Sequence, residues 1–292
     1  MKPLSIEDFK DEILKAKNII FITGAGISVS AGLPDFRSEN GIYNTYQKYG
    51  TDDLNDLLYI DSVKKNPGPI YRFFADLMAA SDKAEPTLAH RFIKLLHDKN
   101  RLLRVYTQNA DGLHIKAGLP EEKVVECHGN FRKGYCLDCF AEYSKYDLQN
   151  RIKRDGIPKC YCGGLIKPWI VLYGEDKDRN MIEMDDFVIK SSHKDFKDCD
   201  LLITVGTSLQ IQDVLVFIGQ VANNIPRILI NLEKVGLKSS TCHFGFEFDS
   251  PSNSRDIYMH QTSDDGALHL CKFMGLEPEF MTARSAITNY KE

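Results

Sequence analysis

Short, nearly continuous apolar runs punctuate this chain at wide intervals, and between them hydrophobic residues recur every three or four positions. The runs at 19–23, 102–107, 124–127, 201–205 and 228–231 are rich in Ile, Leu and Val, the pattern of strands buried on both faces. Helical spacing occupies residues 6–16, 86–98, 185–197, 211–222 and 264–274. Strand and helix in alternation predict an α/β fold with a doubly wound, Rossmann-like parallel sheet. Two regions break the alternation. Residues 41–85 hold helical stretches near 54–63 and 69–80, and residues 131–168 hold paired cysteines. Both read as insertions that together build a second, smaller, zinc-binding domain. The expected division is 1–40, 86–130 and 169–292 for the sheet domain, with 41–85 and 131–168 for the small one.

Four of the five strands end on residues able to do chemistry. Thr23 leads into Gly24, Thr107 into Gln108-Asn109-Ala110-Asp111, Cys127 into His128-Gly129, and Val205 into Gly206-Thr207-Ser208. Ligands of open parallel sheets sit beyond the strands' carboxyl ends, so these loops are expected to converge on one crevice.

Composition narrows the class. At 292 residues, 43% hydrophobic and 27% charged, the chain has an ordinary globular balance, which favours neither disorder nor a membrane class. A net charge of −4 argues against a broad nucleic-acid or anionic-lipid surface, so neither partner is expected. The densest basic stretch, 145–159, reads as a solvated face. Met1-Lys2-Pro3-Leu4-Ser5 lacks the apolar core of a signal peptide, and no run approaches the ~18 apolar residues of a membrane span. A cytoplasmic or nuclear location is the expectation. Eight cysteines in such a reducing compartment point, where they cluster, to metal or redox chemistry.

One cluster stands out. Cys136-x-x-Cys139 is followed by Cys160-Tyr161-Cys162-Gly163-Gly164, and four thiolates in two pairs suit tetrahedral zinc. Such a site is saturated with sulfur, so its work would be to fold a lobe with little core of its own. A redox Cys-x-x-Cys is the other reading. Cys127, Cys199, Cys242 and Cys271 are scattered and read as core residues.

The stretch Gly24-Ala25-Gly26-Ile27-Ser28-Val29 opens like a phosphate-binding turn, in which a strand runs through G-x-G-x-x-G into a helix N-terminus. Val29 takes the place of the third glycine. Pro34 then pushes Leu33 out of helical geometry and ends any helix begun at Ser28. These residues describe a nucleotide site whose helix is cut short and followed by Pro34-Asp35-Phe36-Arg37.

Gly24-Ala25-Gly26, Pro34-Asp35-Phe36-Arg37, Thr107-Gln108-Asn109-Ala110-Asp111, His128-Gly129, the cysteine quartet, Gly206-Thr207-Ser208-Leu209 and Ile230-Asn231 appear in that order. The series resembles the sirtuins, the NAD-dependent protein deacylases. The stretches 248–250, 255–257 and 264–266 resemble that family's eukaryotic deacetylase branch. The resemblance implies NAD as co-substrate and a structural zinc on Cys136, Cys139, Cys160 and Cys162. It implies that Gly24, Ala25 and Gly26 bring backbone to the phosphates. Asp35, Phe36 and Arg37, with Tyr43, would form a mobile cover over the nicotinamide ribose. Gln108, Asn109 and Asp111 would make the pocket for the nicotinamide amide and ribose. Gly206, Thr207 and Ser208 would meet phosphate or ribose, Asn231 and Glu233 the adenosine ribose, and Ser263 the adenine.

On the same resemblance the acyl-lysine carbonyl oxygen attacks C1′ of the nicotinamide ribose, and nicotinamide leaves. His128, the implied general base, with Asn109 as the second catalytic residue, then assists deprotonation of a ribose hydroxyl. Water completes transfer to give free lysine and O-acyl-ADP-ribose. The peptide would run as a strand along Val171, Tyr173, Gly174 and Glu175, with Ile70, Tyr71 and Phe74 walling an acyl tunnel. The desuccinylating branch carries Tyr-x-x-Arg in this helix. Here Phe74 stands three residues after Tyr71, so the expected partner is an acetylated or apolar-acylated lysine of a protein substrate.

Three positions depart from the family pattern. Ala110 stands where Ile is usual, Trp169 where Asp is usual, and Ser263 where Cys is common. Two other functions stay in view, a protein mono-ADP-ribosyltransferase and a catalytically silent NAD- or acyl-lysine-binding adaptor. Retention of His128, Asn109 and Asp111 speaks against the adaptor.

Overall fold

In a computed structural model that describes residues 3–175, 191–239 and 243–281, the strands are β1 (Ile19–Thr23), β2 (Leu102–Thr107), β3 (Val124–Glu126), β4 (Gly129–Cys136), β5 (Glu142–Ser144), β6 (Ile166–Ile170), β7 (Leu201–Val205), β8 (Arg227–Asn231) and β9 (Asp256–His260). The helices are α1 (Lys10–Lys15), α2 (Ile42–Thr45), α3 (Ile60–Lys65), α4 (Pro67–Lys83), α5 (Leu88–Asp98), α6 (Leu113–Lys116), α7 (Lys145–Asp155), α8 (residues 191–198), α9 (Gln212–Gln220) and α10 (Ser263–Phe273). Of the predicted helix 185–197, residues 185–190 lie outside the described residues, as does Cys242.

Six strands form a parallel sheet in the order β3-β2-β1-β7-β8-β9. Both faces are covered. Ile19 and Phe21 of β1 pack with Ile13 of α1, Phe92 and Leu96 of α5 and Leu270 of α10. Ile20 and Ile22 face the opposite layer, with Phe196 of α8 and Phe217 and Ile218 of α9. This double burial explains why β1 is apolar at every position but its last, since fully burying each such side chain stabilises by about 1.5–3 kcal/mol. The sheet is therefore doubly wound and Rossmann-like, as the alternation predicts.

The second sheet, antiparallel β5-β4-β6, belongs with the two regions that break the alternation. Its core combines Ile70, Tyr71, Phe74 and Met78 of α4, Leu148 and Ile152 of α7, and Phe131 and Ile166 from the strands. The basic stretch forms α7, whose first turn is capped by the Ser144 hydroxyl accepting from the Asp147 amide. The expected helical stretch near 54–63 is broken into a 3-10 turn, Leu54–Leu57, and α3. Among the described residues no helix is long and apolar enough to cross a membrane.

β9 is an addition to the sequence reading. Its apolar run is only Ile257-Tyr258-Met259, too short to stand out. Its register is set by a buried ion pair, in which Asp256 accepts from Arg227 Nε and Nη2, both at 2.6 Å.

The chain order places β2 and β3 on one side of β1, and β7, β8 and β9 on the other. The loops leaving β1 and β7 thus sit at a topological switch point, the usual place for a crevice in such sheets.

Candidate functional site

The two switch-point loops cross so closely that only glycines fit. A Cβ on Gly24 would lie 2.6 Å from Thr207 Cβ, and one on Gly26 2.8 Å from Gly206 Cα. Gly206 has φ +60°, and its own Cβ would fall 2.5 Å from the Ile27 amide nitrogen. Gly24 N donates to Val205 O at 3.1 Å and Gly26 N to Gly206 O at 2.7 Å. The G-x-G glycines therefore serve the crossing itself, a role their spacing did not disclose. After them the chain makes two 3-10 turns, Ala25–Ile27 and Val29–Ala31, in place of a helix. The Ala25, Thr207 and Ser208 amides donate to no protein acceptor among the described residues. Convergent N–H groups of this kind form an anion cradle.

Beside the crossing lies a hydrogen-bonded cluster that includes a residue missed by the sequence reading. Asn109 Nδ2 reaches Gly24 O at 3.1 Å, Ser28 Oγ at 3.2 Å and Asp111 Oδ2 at 3.2 Å. Ser28 Oγ donates to Asp111 Oδ2 at 2.7 Å. Asn109 Oδ1 has no protein donor among the described residues, so an acceptor is left for a ligand or water. Ser28 lies inside the motif stretch, but a serine at the start of a turn carries no signal beyond capping. Thr207 Oγ1 donates to Gln108 Oε1 at 2.5 Å, which ties the loop after β7 to the loop after β2. Leu209, two residues on, is held at φ +50°, a strained conformation for a side chain of that size.

His128 joins the same crevice from β3. Its Nδ1 lies 3.1 Å from Gln108 O. A carbonyl only accepts, so Nδ1 carries the proton and Nε2 is the basic nitrogen. The loop holding this imidazole is fixed by Glu126, which takes Asn130 Nδ2 at 2.9 Å and both Arg132 terminal nitrogens at 2.6 Å. Burial pushes the Glu126 carboxyl up against the opposing pull of Arg132. Gly129, at φ +78°, passes so near Trp169 O that a Cβ would sit 2.0 Å away. Cys127 plays no part with His128. β3 ends at Glu126, the Cys127 sulfur points toward Val125 O, and burial pushes its thiol up to about 12.

Under the crevice floor two histidine rings meet at a tilt of 57°, with centroids 4.6 Å apart. His114 Nε2 meets Thr23 Oγ1 at 3.0 Å and His90 Nδ1 meets Thr87 Oγ1 at 2.8 Å. Their other nitrogens have no partner among the described residues. Burial holds both imidazoles neutral and takes His90 down to about 3. A histidine whose folded pKa lies below its unfolded value leaves stability intact above about pH 6.5 and removes it as pH falls toward the folded value. His90 should therefore cost about 1.4 kcal/mol per pH unit below that point. Denaturant melts at pH 7.5 and 5.5 should show the loss, and His90→Asn should flatten it; an identical slope in the variant would clear His90 of the effect.

The remaining expected residues fall into three places. Asp35 Oδ1 accepts from the Arg37 and Ser38 amides at 3.1 and 2.9 Å. Phe36 lies edge-on to Tyr43 at 5.9 Å, with the Arg37 guanidinium 5.5 Å above that ring. This compact cover faces the segment after β6. Burial, aided by the Tyr43 and Tyr59 hydroxyls, pushes the Tyr173 phenol up, and Arg37 is near enough to oppose it. Val171 and Tyr173 are exposed and Gly174 takes φ +69°. The Glu175 side chain turns inward to Lys167, so any contact it makes with a peptide falls to its backbone. Phe74, with Ile70 and Tyr71, is fully buried in the small-lobe core.

Ser263 Oγ donates to Gly26 O at 3.0 Å beside the crossing, and at the end of β8 Asn231 Nδ2 donates to Glu233 O at 3.0 Å. Next to both lies an open cavity of about 560 Å³ lined by Leu232, His260, Gln261 and Thr262 among others. Gly266 follows in α10, where a Cβ would lie 2.2 Å from Ile230 Cγ2.

The four cysteines of the small lobe place their sulfurs within 4.8 Å of one another. Cys136 and Cys162 are 3.5 Å apart, as are Cys139 and Cys160. Zn–S bonds of about 2.3 Å in a tetrahedron require S···S near 3.8 Å, so the donor set fits zinc. The shortened Cys-x-Cys pair is accommodated by glycines: Gly163 takes φ +95°, and a Cβ on Gly164 would lie 2.7 Å from Cys136 Sγ. The Tyr143 hydroxyl, 3.1 Å from Cys160 Sγ, is the main cause drawing that thiol down to about 6.

Comparison with known proteins agrees with this arrangement. The sequence model of the Sir2 family matches residues 24–213. The chain is 41% identical over 274 residues to the NAD-dependent protein deacetylase sirtuin-2 of Danio rerio, covering 91% of this chain and 70% of that protein. It is 40% identical over 287 residues to the NAD-dependent deacetylase sir2A of Dictyostelium discoideum, covering 96% and 54%. It is 36% identical over 267 residues to the NAD-dependent protein deacetylase hst2 of Schizosaccharomyces pombe, covering 91% and 74%. With a switch-point crevice, a four-cysteine lobe and relatives aligned along most of its length, the chain belongs to the Sir2 family.

Proposed function

We propose that this chain is an NAD-dependent protein-lysine deacylase that forms nicotinamide, free lysine and O-acyl-ADP-ribose. The observation that carries this reading is the meeting, at one switch-point crevice, of an N–H cradle, the Asn109-Ser28-Asp111 cluster and an imidazole oriented through Gln108 O. The residues fit a dinucleotide. The Ala25, Thr207 and Ser208 amides would hold its phosphates, Asn231 and Ser263 its adenosine end, and Asn109 and Asp111 its nicotinamide end. When bound, NAD supplies a ribose carbon made electrophilic by its pyridinium leaving group.

The protein's own part is positioning and proton transfer. Phe36 and Tyr43 exclude water from the reacting end, and Asn109 Oδ1 offers an acceptor beside it. His128 Nε2 takes a hydroxyl proton, a step worth about 10²–10⁴-fold when the base is placed correctly. Zinc stays outside the chemistry, because four cysteines leave no open coordination position.

The proposal extends to substrate and place. Acetylated or apolar-acylated lysines in proteins are the expected substrates, without direct nucleic-acid or membrane contact. A reducing cytoplasm or nucleus suits the free thiols of Cys127, Cys199 and Cys271. Labelled NAD incubated with an acetyl-lysine peptide tests the reading: label should pass into a small acetylated ADP-ribose as the peptide loses acetyl. Label retained on protein, with no deacetylated peptide, would instead mark an ADP-ribosyltransferase.

A further inference from the structure

The edge expected to take the peptide is the segment after β6. One side of the segment after β6 is fastened to neighbouring backbone. Val171 N donates to His128 O at 3.0 Å, Tyr173 N to Leu58 O at 2.8 Å, and Ile60 N to Tyr173 O at 3.0 Å. The Gly174 amide, off the fastened edge, has no partner among the described residues, which leaves a donor for an added strand.

Behind this edge lies a buried charge pair. The Lys167 and Glu175 side chains are 0% and 4% exposed and stand 3.0 Å apart. Lys167 Nζ also donates to Ile170 O. Glu175 Oε2 accepts from Leu172 N at 3.0 Å and Glu175 Oε1 from Tyr135 Oη at 2.7 Å. The ammonium lies 5.1 Å from the Tyr135 ring centroid. Lys167 therefore grips the start of the segment and Glu175 grips its middle, while Gly174 makes the turn between Leu172 and Glu175. Buried ions add little net stability beside an apolar core, so their retention calls for a positional account. Tyr135 is on β4, next to the cysteine Cys136, so the same network couples the four-cysteine lobe to the peptide edge.

We propose that Lys167, Glu175 and Tyr135 are positioning residues that hold residues 171–174 in register for an acyl-lysine peptide strand. The inference rests on the deacylase reading. It assigns Glu175 a part in peptide binding through the backbone that it orients. None of the three touches the reacting atoms.

Steady-state kinetics on the full chain test this. Tyr135→Phe removes one hydrogen bond to Glu175 and keeps the ring against Lys167. It should raise the KM for acetyl-lysine peptide by about 3- to 10-fold, the range for one ordinary lost hydrogen bond, with the KM for NAD held and kcat at saturating peptide affected far less. The paired variant Lys167→Met with Glu175→Gln, which removes both charges of this pair together, should raise peptide KM further. Unchanged peptide KM in folded Tyr135→Phe protein, or a fall in kcat alone, would overturn the proposal. The milder variant decides by itself should the paired one fail to fold. Wild-type protein is assayed alongside, so absence of any deacylation there would count against the deacylase reading and not against the network.

Discussion

Replacing His128 with alanine should lower kcat for peptide deacylation by at least about 100-fold, the lower range for loss of a positioned general base. The fold should survive. His128 is only half-buried, and the bond that anchors the peptide edge, Val171 N to His128 O, uses backbone that alanine retains. The size of the effect follows from the tautomer. With Nδ1–H held by Gln108 O at 3.1 Å, Nε2 is the nitrogen that accepts a proton, and the two histidines nearest in the fold do not replace it. His90 and His114 are buried beneath the floor and held neutral. The variant should keep the melting temperature and peptide affinity of the wild type. Turnover within a few-fold of wild type would remove His128 from the mechanism.

Stripping metal from the four cysteines should abolish activity by a different route. A structural zinc contributes on the order of 10 kcal/mol to the module it closes, and β4, β5 and β6 have few apolar residues with which to compensate. Cys136 and Cys160 are buried in the core that these strands share with Leu148 and α4. Chelation should therefore open residues around 131–168 to protease while the six-stranded sheet stays folded, as two separate cores allow. Activity should fall with the metal content, measured against a starting ratio of about one zinc per chain. Pure, active protein containing no metal would contradict this account, as would full activity after chelation.

The main sheet was legible because double burial writes itself as continuous apolar runs. Five of its six strands could be read from Ile, Leu and Val alone. β9 could not, because an edge strand held by Asp256 and Arg227 depends on a pair 29 residues apart. The small sheet was hidden because its strands write weak patterns: β5 spans three residues, and Arg132, Lys133 and Gly134 interrupt the middle of β4. At the site, strand-end residues announced the crevice, and the order of motifs announced its kind. What remained invisible were the partnerships. Ser28 gains its meaning from Asn109 and Asp111, which lie 81 and 83 residues away. Glu175 was named for its backbone, and its side chain's inward pairing with Lys167 had no signal in the sequence. The glycines of G-x-G looked like ligand contacts and also allow two loops to cross.

The central claim is that the crevice between β1 and β7 breaks the nicotinamide–ribose bond by presenting it to an acyl oxygen. Release of nicotinamide, followed with NAD and an acetyl-lysine peptide both shown by calorimetry to be bound, tests it most directly. The account predicts release that requires the acylated peptide and matches deacetylation mole for mole. No release while both ligands occupy the protein, or equal release with unacylated peptide, would contradict it.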